Sequence, residues 1–238
     1  MITQLQCLAP TGDMLSTSRT KQMHVEYNVT DEAVEIMLHG VIGDDFTGTD
    51  SQTVARVLSQ NRGKSVELRV NSPGGLAYDG VAMFNAIKSH DGATTGIIEG
   101  MAGSAASLAV IACDRVLCYQ GAVFQPHYSM IMTVGHQADI RDALEKMIKL
   151  DGDLEQLYSE QSGQSVAVVK AQLMGSHGDG TRFTAAEALA AGYVDEVISH
   201  GKKKQAAAKL DAALPGMSDA VRRHNLARFE MGLTKRIR

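Results

Sequence analysis

The sequence predicts an α/β fold with a parallel sheet at its core, and two observations lead to that prediction. The chain has 238 residues, which is enough for one domain with a substantial hydrophobic core. Segments rich in β-forming residues alternate with segments whose apolar residues recur at helical spacing. Strands joined through helices favour parallel pairing, because the helix returns the chain to the same end of the sheet.

The first predicted elements are two strands joined by a helix. VEIMLHGVI, which starts at Val34, and VELRV at 66–70 alternate apolar and polar residues as half-buried strands do. Between them, SQTVARVLSQ has an apolar helical stripe formed by Val54, Val57 and Leu58. This order of elements supplies the first two strands of the parallel sheet.

The next two units each place small residues between a strand and a helix. The strand at 66–70 runs into NSPGG at 71–75. The helix that follows is indicated by an apolar stripe of Val81, Phe84 and Ile87. TTGIIEG at 94–100 predicts a third strand, and GSAASLAVIA at 103–112 predicts a helix that is buried on all sides. RVLC then predicts a fourth strand.

Two further helices are predicted in the second half of the chain. The segment from Ala138 to Gln161 is charged, amphipathic and too long to be covered by one small sheet. Thr184 and Glu187 have the spacing of a capping box, which opens a short helix, and Gly192 ends that helix.

We therefore predict one domain over residues 25–200 with a tail at each end. Residues 1–24 are polar, show no regular period and predict an N-terminal arm. From residue 201 the composition changes to GKKKQAAAKLDAAL. This change predicts that residues 201–238 form a C-terminal extension, helical or partly disordered.

Composition narrows the class of protein. A net charge of −4 and a pI of about 6.1 argue against a nucleic-acid partner, which normally needs a basic surface. The three cysteines lack metal-ligand spacing, and their odd number fits a reducing compartment, so we expect no metal. No apolar run reaches the roughly 18 residues that span a bilayer, and the first residues lack the pattern of a signal peptide. These features predict a soluble cytoplasmic protein without a membrane partner.

The turn NSPGG has the chemistry of an anion site. Pro73 fixes φ and removes a donor, while Gly74 and Gly75 can adopt backbone angles that are closed to other residues. Backbone N–H groups at such a turn, next to a helix N-terminus, can stabilise the oxyanion of an acyl-transfer reaction. Ordinary tight turns use the same residues, so the motif alone leaves both interpretations open.

Ser104 and His127 are the candidate nucleophile and general base. Ser104 lies in GMAGSAAS at 100–107, where a strand gives way to a helix, and the Ala105 N–H can donate to the same oxyanion as Gly75. A serine needs a base near neutral pH, and histidine is the usual one. His127 follows a predicted strand in AVFQPHYSM. Close helix packing and an ordinary packed histidine are the alternative interpretations of these two segments.

Together these segments resemble the ClpP-like serine peptidases, a family with a crotonase-type fold, over about residues 34–200. NSPGG is similar to the oxyanion turn of the family, GMAGSAAS to its nucleophile motif, and AVFQPHYS to the strand that ends in the catalytic histidine. The resemblance implies repeated β-β-α units around a parallel sheet, with a long protruding helix. It also implies a serine endopeptidase without a cofactor, in which Gly75 and Ala105 donate to the oxyanion and Gly74 binds substrate.

The third member of the implied triad lies in SHGDGTRFTAAEA. Housekeeping members of the family place an aspartate directly before the Arg-Phe pair, where this chain has Thr181. Asp179 is therefore the predicted third residue, with Thr181 as the alternative. The Asp-Gly-Thr segment and a second serine, Ser107, are more similar to the phage and prophage branch, which carries out head maturation.

The resemblance further implies homo-oligomeric rings that stack through the long helix and cleave polypeptides. The substrates are then unfolded chains delivered by an ATPase, or scaffold and capsid proteins inside a prohead. The sequence leaves open a crotonase-type acyl-CoA hydratase or isomerase, a Ser-Lys peptidase, and a ring-forming structural protein that has lost its triad. No lysine lies within the matched motifs, which argues against the Ser-Lys enzyme.

Overall fold

A computed structural model describes residues 25–43 and 49–199. The strands in these residues are β1 (Glu26–Val29), β2 (Ala33–Ile42), β3 (Ser65–Gly75), β4 (Thr94–Gly103), β5 (Arg115–Tyr119), β6 (Val123–Gln125), β7 (Phe183–Thr184) and β8 (Glu196–Ile198). The helices are α1 (Ser51–Gln60), α2 (Ala77–Lys88), α3 (Ala105–Ile111), α4 (Gln137–Ser162), α5 (Val166–Met174) and α6 (Ala185–Ala190). The predicted arm over residues 1–24 and the predicted extension over residues 201–238 lie outside the described residues.

The sheet is mostly parallel. Its strands follow the order β1-β2-β3-β4-β5-β8, with β6 beside β4 and β7 beside β6. The four strands from β2 to β5 pair in parallel, as does β8 with β5, while β1 pairs with β2 in the antiparallel direction. Helices α1, α2 and α3 connect the consecutive parallel strands. The predicted parallel core is therefore confirmed, whereas the implied β-β-α repeat stays a prediction.

The hydrophobic core lies between one face of the sheet and the helices that connect its strands. Alternate residues of β2 are buried, among them Ile36 and Leu38, as expected for a strand with one covered face. Every residue of α3 is buried, which confirms the prediction of a helix covered on all sides. On the other face of the sheet, Arg69 forms ion pairs with Glu35, Glu67 and Glu99.

The sheet divides at β4, and this division brings the candidate site together. The first half of β4 pairs with β5, as far as Ile98 opposite Cys118. The last three residues of β4 pair instead with β6, where Gly103 lies opposite Gln125. Because β4 and β6 run parallel, the segments that follow them leave the sheet at the same edge.

The helix predicted over residues 138–161 is α4, which has 26 residues. Its second half is packed against the domain through the buried side chains of Leu150, Leu154 and Tyr158. Its first half carries an apolar stripe that the described residues leave about half exposed, formed by Ile140, Leu144 and Ile148. None of the helices in the described part of the chain is long and apolar enough to cross a membrane.

The capping box predicted at the start of α6 is confirmed. Thr184 Oγ1 accepts a hydrogen bond from Glu187 N at 3.3 Å, and the Glu187 carboxylate accepts one from Thr184 N at 2.8 Å. The helix ends before Gly192, whose φ of +76° lies in the left-handed region that glycine favours. Both ends of α6 therefore follow from local sequence.

Candidate active site

Ser104 occupies a sharp turn between β4 and α3. Its φ of 51° and ψ of −126° make it the one non-glycine residue with a positive φ in the described parts of the chain. Such a conformation costs about 1–3 kcal/mol and persists only where the surrounding structure enforces it. Strained strand-to-helix turns present the nucleophile in enzymes of the α/β-hydrolase fold. The backbone of Ser104 is thus compatible with a nucleophile turn, and the role of Ser104 as nucleophile stays a prediction.

Hydrogen bonds from three elements hold this turn in place. Ser104 N donates to Gln125 O of β6 at 2.9 Å, and Ser107 Oγ of α3 donates to Ser104 O at 2.6 Å. Ser107 Oγ also lies 2.6 Å from the hydroxyl of Tyr158 on α4, and both side chains are buried. No described residue hydrogen-bonds Ser104 Oγ, so the hydroxyl remains available for chemistry while its backbone is fixed.

The glycine-rich turn at the end of β3 packs against Ser104. Gly74 has a φ of +100°, and a Cβ placed on it would lie 2.5 Å from Ser104 Cβ and 2.9 Å from Ala105 N. Only glycine fits there, because L side chains disfavour this φ and the space is already filled. The two segments that sequence analysis assigned to the oxyanion site and to the nucleophile therefore lie side by side.

The donors of this turn are partly engaged. Gly74 N donates to Ser72 Oγ at 3.1 Å, and Leu76 N donates to Ile42 O at 2.9 Å. Gly75, whose N–H lies between these two donors in the chain, stays the predicted oxyanion donor together with Ala105. The substrate-binding role of Gly74 also stays a prediction.

His127 lies two residues beyond the end of β6, at the same edge of the sheet as Ser104. Its Nδ1 lies 2.6 Å from the carbonyl oxygen of Tyr128. A carbonyl can only accept a hydrogen bond, so in the neutral ring Nδ1 carries the hydrogen and Nε2 is left as the basic nitrogen. Within the described residues no hydrogen bond joins His127 to Ser104. Catalytic hydrogen bonds are often long before substrate binds.

Asp179 is hydrogen-bonded within its own loop and Thr181 is hydrogen-bonded to α5, rather than to His127. The Asp179 carboxylate accepts hydrogen bonds from the backbone N–H groups of His177 and Ser176, at 3.3 and 3.2 Å. These bonds hold the pKa of the Asp179 carboxyl below its usual range, and the bond from His177 has the largest effect. Thr181 Oγ1 donates to Gln172 O at 3.0 Å. Neither side chain hydrogen-bonds the imidazole in the described structure, and their triad role stays a prediction.

Gly180, between these two residues, is the part of the loop that touches the base. A Cβ on Gly180 would lie 2.0 Å from Pro126 O and 2.6 Å from His127 Cβ. The loop therefore passes beside His127 as the resemblance implies, but it presents backbone there instead of a carboxylate.

Asp151 on α4 is the carboxylate that the sequence analysis missed. It accepts hydrogen bonds from Ser129 N at 2.8 Å and from Ser129 Oγ at 2.6 Å. Burial raises the pKa of the Asp151 carboxyl, although the two bonds from Ser129 oppose that shift. A signal was present in the sequence, because Leu154 and Tyr158 follow Asp151 at the i+3 and i+7 positions of a buried helix face.

A cleft of about 350 Å³ opens beside the base. We call it the His127 cleft, and its lining includes His127, Asp151, Met130, Met147 and Met174. Methionine side chains are flexible and polarizable, so they can adapt to apolar groups of different shape. Among the residues that the structure describes, no cluster of three His, Cys, Asp or Glu side chains could hold a metal ion.

Comparison with known proteins shows the family to which this fold belongs. The family model for Clp protease matches residues 18–201. The ATP-dependent Clp protease proteolytic subunit of Streptococcus thermophilus is 27% identical over 195 residues, which cover 79% of this chain and 96% of that protein. The proteins of the same name from Streptococcus gordonii and Streptococcus pneumoniae are 27% identical over 191 residues, which cover 77% of this chain and 94% of each relative. This chain belongs to the Clp protease family.

Proposed function

We propose that this protein is a serine endopeptidase in which Ser104 is the nucleophile and His127 is the general base. The observation that carries the proposal is the strained backbone of Ser104 at the edge of the sheet where His127 follows the neighbouring strand. Membership of the Clp protease family supports the same reaction class. Residues with strain of this kind cluster at active sites.

The mechanism follows from the hydrogen bonds around the two residues. His127 Nε2 accepts the Ser104 hydroxyl proton as Oγ attacks the peptide carbonyl, while Nδ1–H stays bonded to Tyr128 O. The N–H groups of Gly75 and Ala105 then stabilise the oxyanion, and one such donor typically contributes about 2.7–4 kcal/mol. His127 returns the proton to the leaving amine, and water hydrolyses the acyl-enzyme through the same base. No cofactor takes part in this proposal.

For substrates and partners, the proposal draws on the relatives. They are named as proteolytic subunits of an ATP-dependent protease, so we propose polypeptide substrates and assembly with further subunits. The half-exposed stripe of Ile140, Leu144 and Ile148 on α4 supports pairing between copies of the chain in stacked rings. The narrower role in phage head maturation, with scaffold or capsid proteins as substrates, rests on the sequence of the Asp179–Thr181 segment and on Ser107.

Fluorophosphonate labelling followed by peptide mass spectrometry tests the reaction class. We expect the wild type to be labelled at Ser104, because an activated serine attacks the phosphorus as it attacks a carbonyl. His127→Ala should reduce the labelling rate about 10²- to 10⁴-fold, which is the usual contribution of a general base.

The matched control is His90→Ala. His90 lies just before β4, at the opposite end of that strand from Ser104, and it bonds the carbonyl of Lys64. Its replacement should leave the labelling rate unchanged. An unlabelled Ser104 in a folded protein would overturn the proposal, and binding of coenzyme A by that protein would favour acyl-CoA chemistry instead.

A further inference from the structure

One peptide group links His127 to the half-buried carboxylate of Asp151. The carbonyl of Tyr128 lies 2.6 Å from His127 Nδ1 and accepts its hydrogen. The N–H of Ser129 donates to Asp151 Oδ1 at 2.8 Å. This carbonyl and this N–H belong to the same peptide unit, so His127 and Asp151 bond its two ends.

A peptide unit placed in this way transmits the influence of the carboxylate. Resonance couples the N–H and C=O of a peptide bond, so a negative charge at the N–H increases the electron density on the carbonyl oxygen. Hydrogen bonds in a chain strengthen one another, by about 10–30% per bond in condensed phases. The Tyr128 carbonyl is therefore a better acceptor for the imidazole than an isolated carbonyl is.

The surrounding contacts keep this peptide unit in one position. Ser129 Oγ donates to the same Asp151 oxygen at 2.6 Å, which closes a second bond to the carboxylate. The Tyr128 hydroxyl donates to Glu155 at 2.7 Å, one turn further along α4. Glu155 is itself buried and paired with Lys170 at 3.2 Å. The residues on both sides of the peptide are thus anchored to α4.

We propose that Asp151 is the positioning carboxylate of this site and acts on His127 through the Tyr128–Ser129 peptide unit. The inference rests on the proposed serine peptidase function. Asp151 holds the imidazole with hydrogen on Nδ1 and stabilises the imidazolium that forms when Ser104 loses its proton. Its carboxylate hydrogen-bonds Ser129 and not Ser104, so its role is to position and not to react.

Asp151→Asn tests the role of the charge. The amide oxygen can still accept the Ser129 N–H, and the Tyr128 carbonyl still selects the tautomer of His127. We therefore expect labelling of Ser104 to slow only about 10-fold, far less than the roughly 10⁴-fold loss when a carboxylate bonded directly to the base is replaced. Asp151→Ala also removes the acceptor and should slow labelling about 100-fold. Replacement of a residue that orients a metal ligand by hydrogen bonding causes losses of this size in metalloenzymes.

The pH profile separates positioning from a general structural effect. Among the described residues, the titratable groups around His127 are Tyr128 next to it, Asp151 and Glu155 on α4, and His177 and Asp179 in the loop before β7, with Lys170 of α5 paired to Glu155. Loss of one negative charge disfavours the imidazolium, so the pH of half-maximal labelling should fall in Asp151→Asn. Asp153→Asn is the matched control, since Asp153 is exposed on the same helix and should change neither rate nor profile.

Stability should not explain the loss. Burial raises the pKa of Asp151 in the folded protein, so the contribution of this group to stability is present at low pH and is lost as the pH rises through the folded pKa. The ionised carboxylate is therefore the unfavourable form for folding at neutral pH. Asp151→Asn should therefore unfold at the same or a higher temperature than the wild type near pH 7. Thermal unfolding beside the labelling assay checks this point.

Three outcomes distinguish failure of the positioning role of Asp151 from failure of the proposed serine peptidase function. Wild-type labelling rates and an unchanged pH profile in Asp151→Asn would overturn the positioning role, as would a loss near 10⁴-fold in Asp179→Asn. If wild-type Ser104 is not labelled at all, the proposed function fails instead. In that case the Nδ1–H resonance of His127 in ¹⁵N-histidine-labelled protein still tests the link, and an identical resonance in wild type and Asp151→Asn would exclude it.

Discussion

Ser104→Gly should abolish peptide hydrolysis and at the same time stabilise the fold. Turnover of a fluorogenic peptide should fall by about 10⁴- to 10⁶-fold, the scale of loss when the nucleophile of a serine peptidase is removed. The conformation at φ 51° and ψ −126° is strained for serine but is open to glycine. Release of about 1–3 kcal/mol of strain exceeds the roughly 0.5–1 kcal/mol that glycine adds to the entropy of the unfolded chain. We expect a net gain of about 1 kcal/mol in the free energy of unfolding.

Ser104→Ala is the control for this experiment. It removes the same hydroxyl, so turnover should fall equally, but alanine retains the strain because it has a Cβ. Urea unfolding of the three proteins compares their stabilities directly. A Ser104→Gly protein that is less stable than Ser104→Ala would contradict the strain argument, and full turnover in either variant would contradict the assignment of the nucleophile.

Gly74→Ala should disrupt both the fold and the reactivity of Ser104. The new methyl group would lie 2.5 Å from Ser104 Cβ and 2.9 Å from Ala105 N, so one segment must move. We expect a loss of about 2–4 kcal/mol in the free energy of unfolding, from the unfavourable φ and from overpacking together. Displacement of Ser104 by about 1 Å should slow fluorophosphonate labelling at least 100-fold.

Gly121→Ala separates the cost of an unfavourable φ from the cost of overpacking. Gly121 has a φ of +96°, close to the +100° of Gly74, but a Cβ there would meet no atom within 4 Å. It should therefore cost only the conformational part, about 1–2 kcal/mol, and should leave labelling unchanged. Equal destabilisation of the two variants, with full labelling in Gly74→Ala, would show that the contact with Ser104 is unimportant.

Local sequence was sufficient for most of the secondary structure. The alternating residues of β2 and β3 and the helical stripes of α1 and α2 predict a strand-helix-strand order that the structure confirms. The capping box at Thr184 and the stop at Gly192 are equally local, because each depends on residues within one helical turn. The end of β4 was harder to predict, since the segment after Gly100 continues as a strand to Gly103 before α3 begins.

The Clp protease family and the glycine turn could be predicted from the sequence, as could Ser104 as the candidate nucleophile, because these predictions depend on residue types at short spacing. The contact between Asp151 and the segment after His127 could not be predicted in this way, because it depends on how distant parts of the chain pack. Asp151 is 22 residues from Ser129, and their contact exists because α4 packs against the segment that follows β6. The family resemblance predicts that Asp179 orients His127, yet the backbone N–H groups of its own loop bind the Asp179 carboxylate. Side-chain direction in a loop depends on which donors the folded backbone presents, and residue spacing carries no information about them.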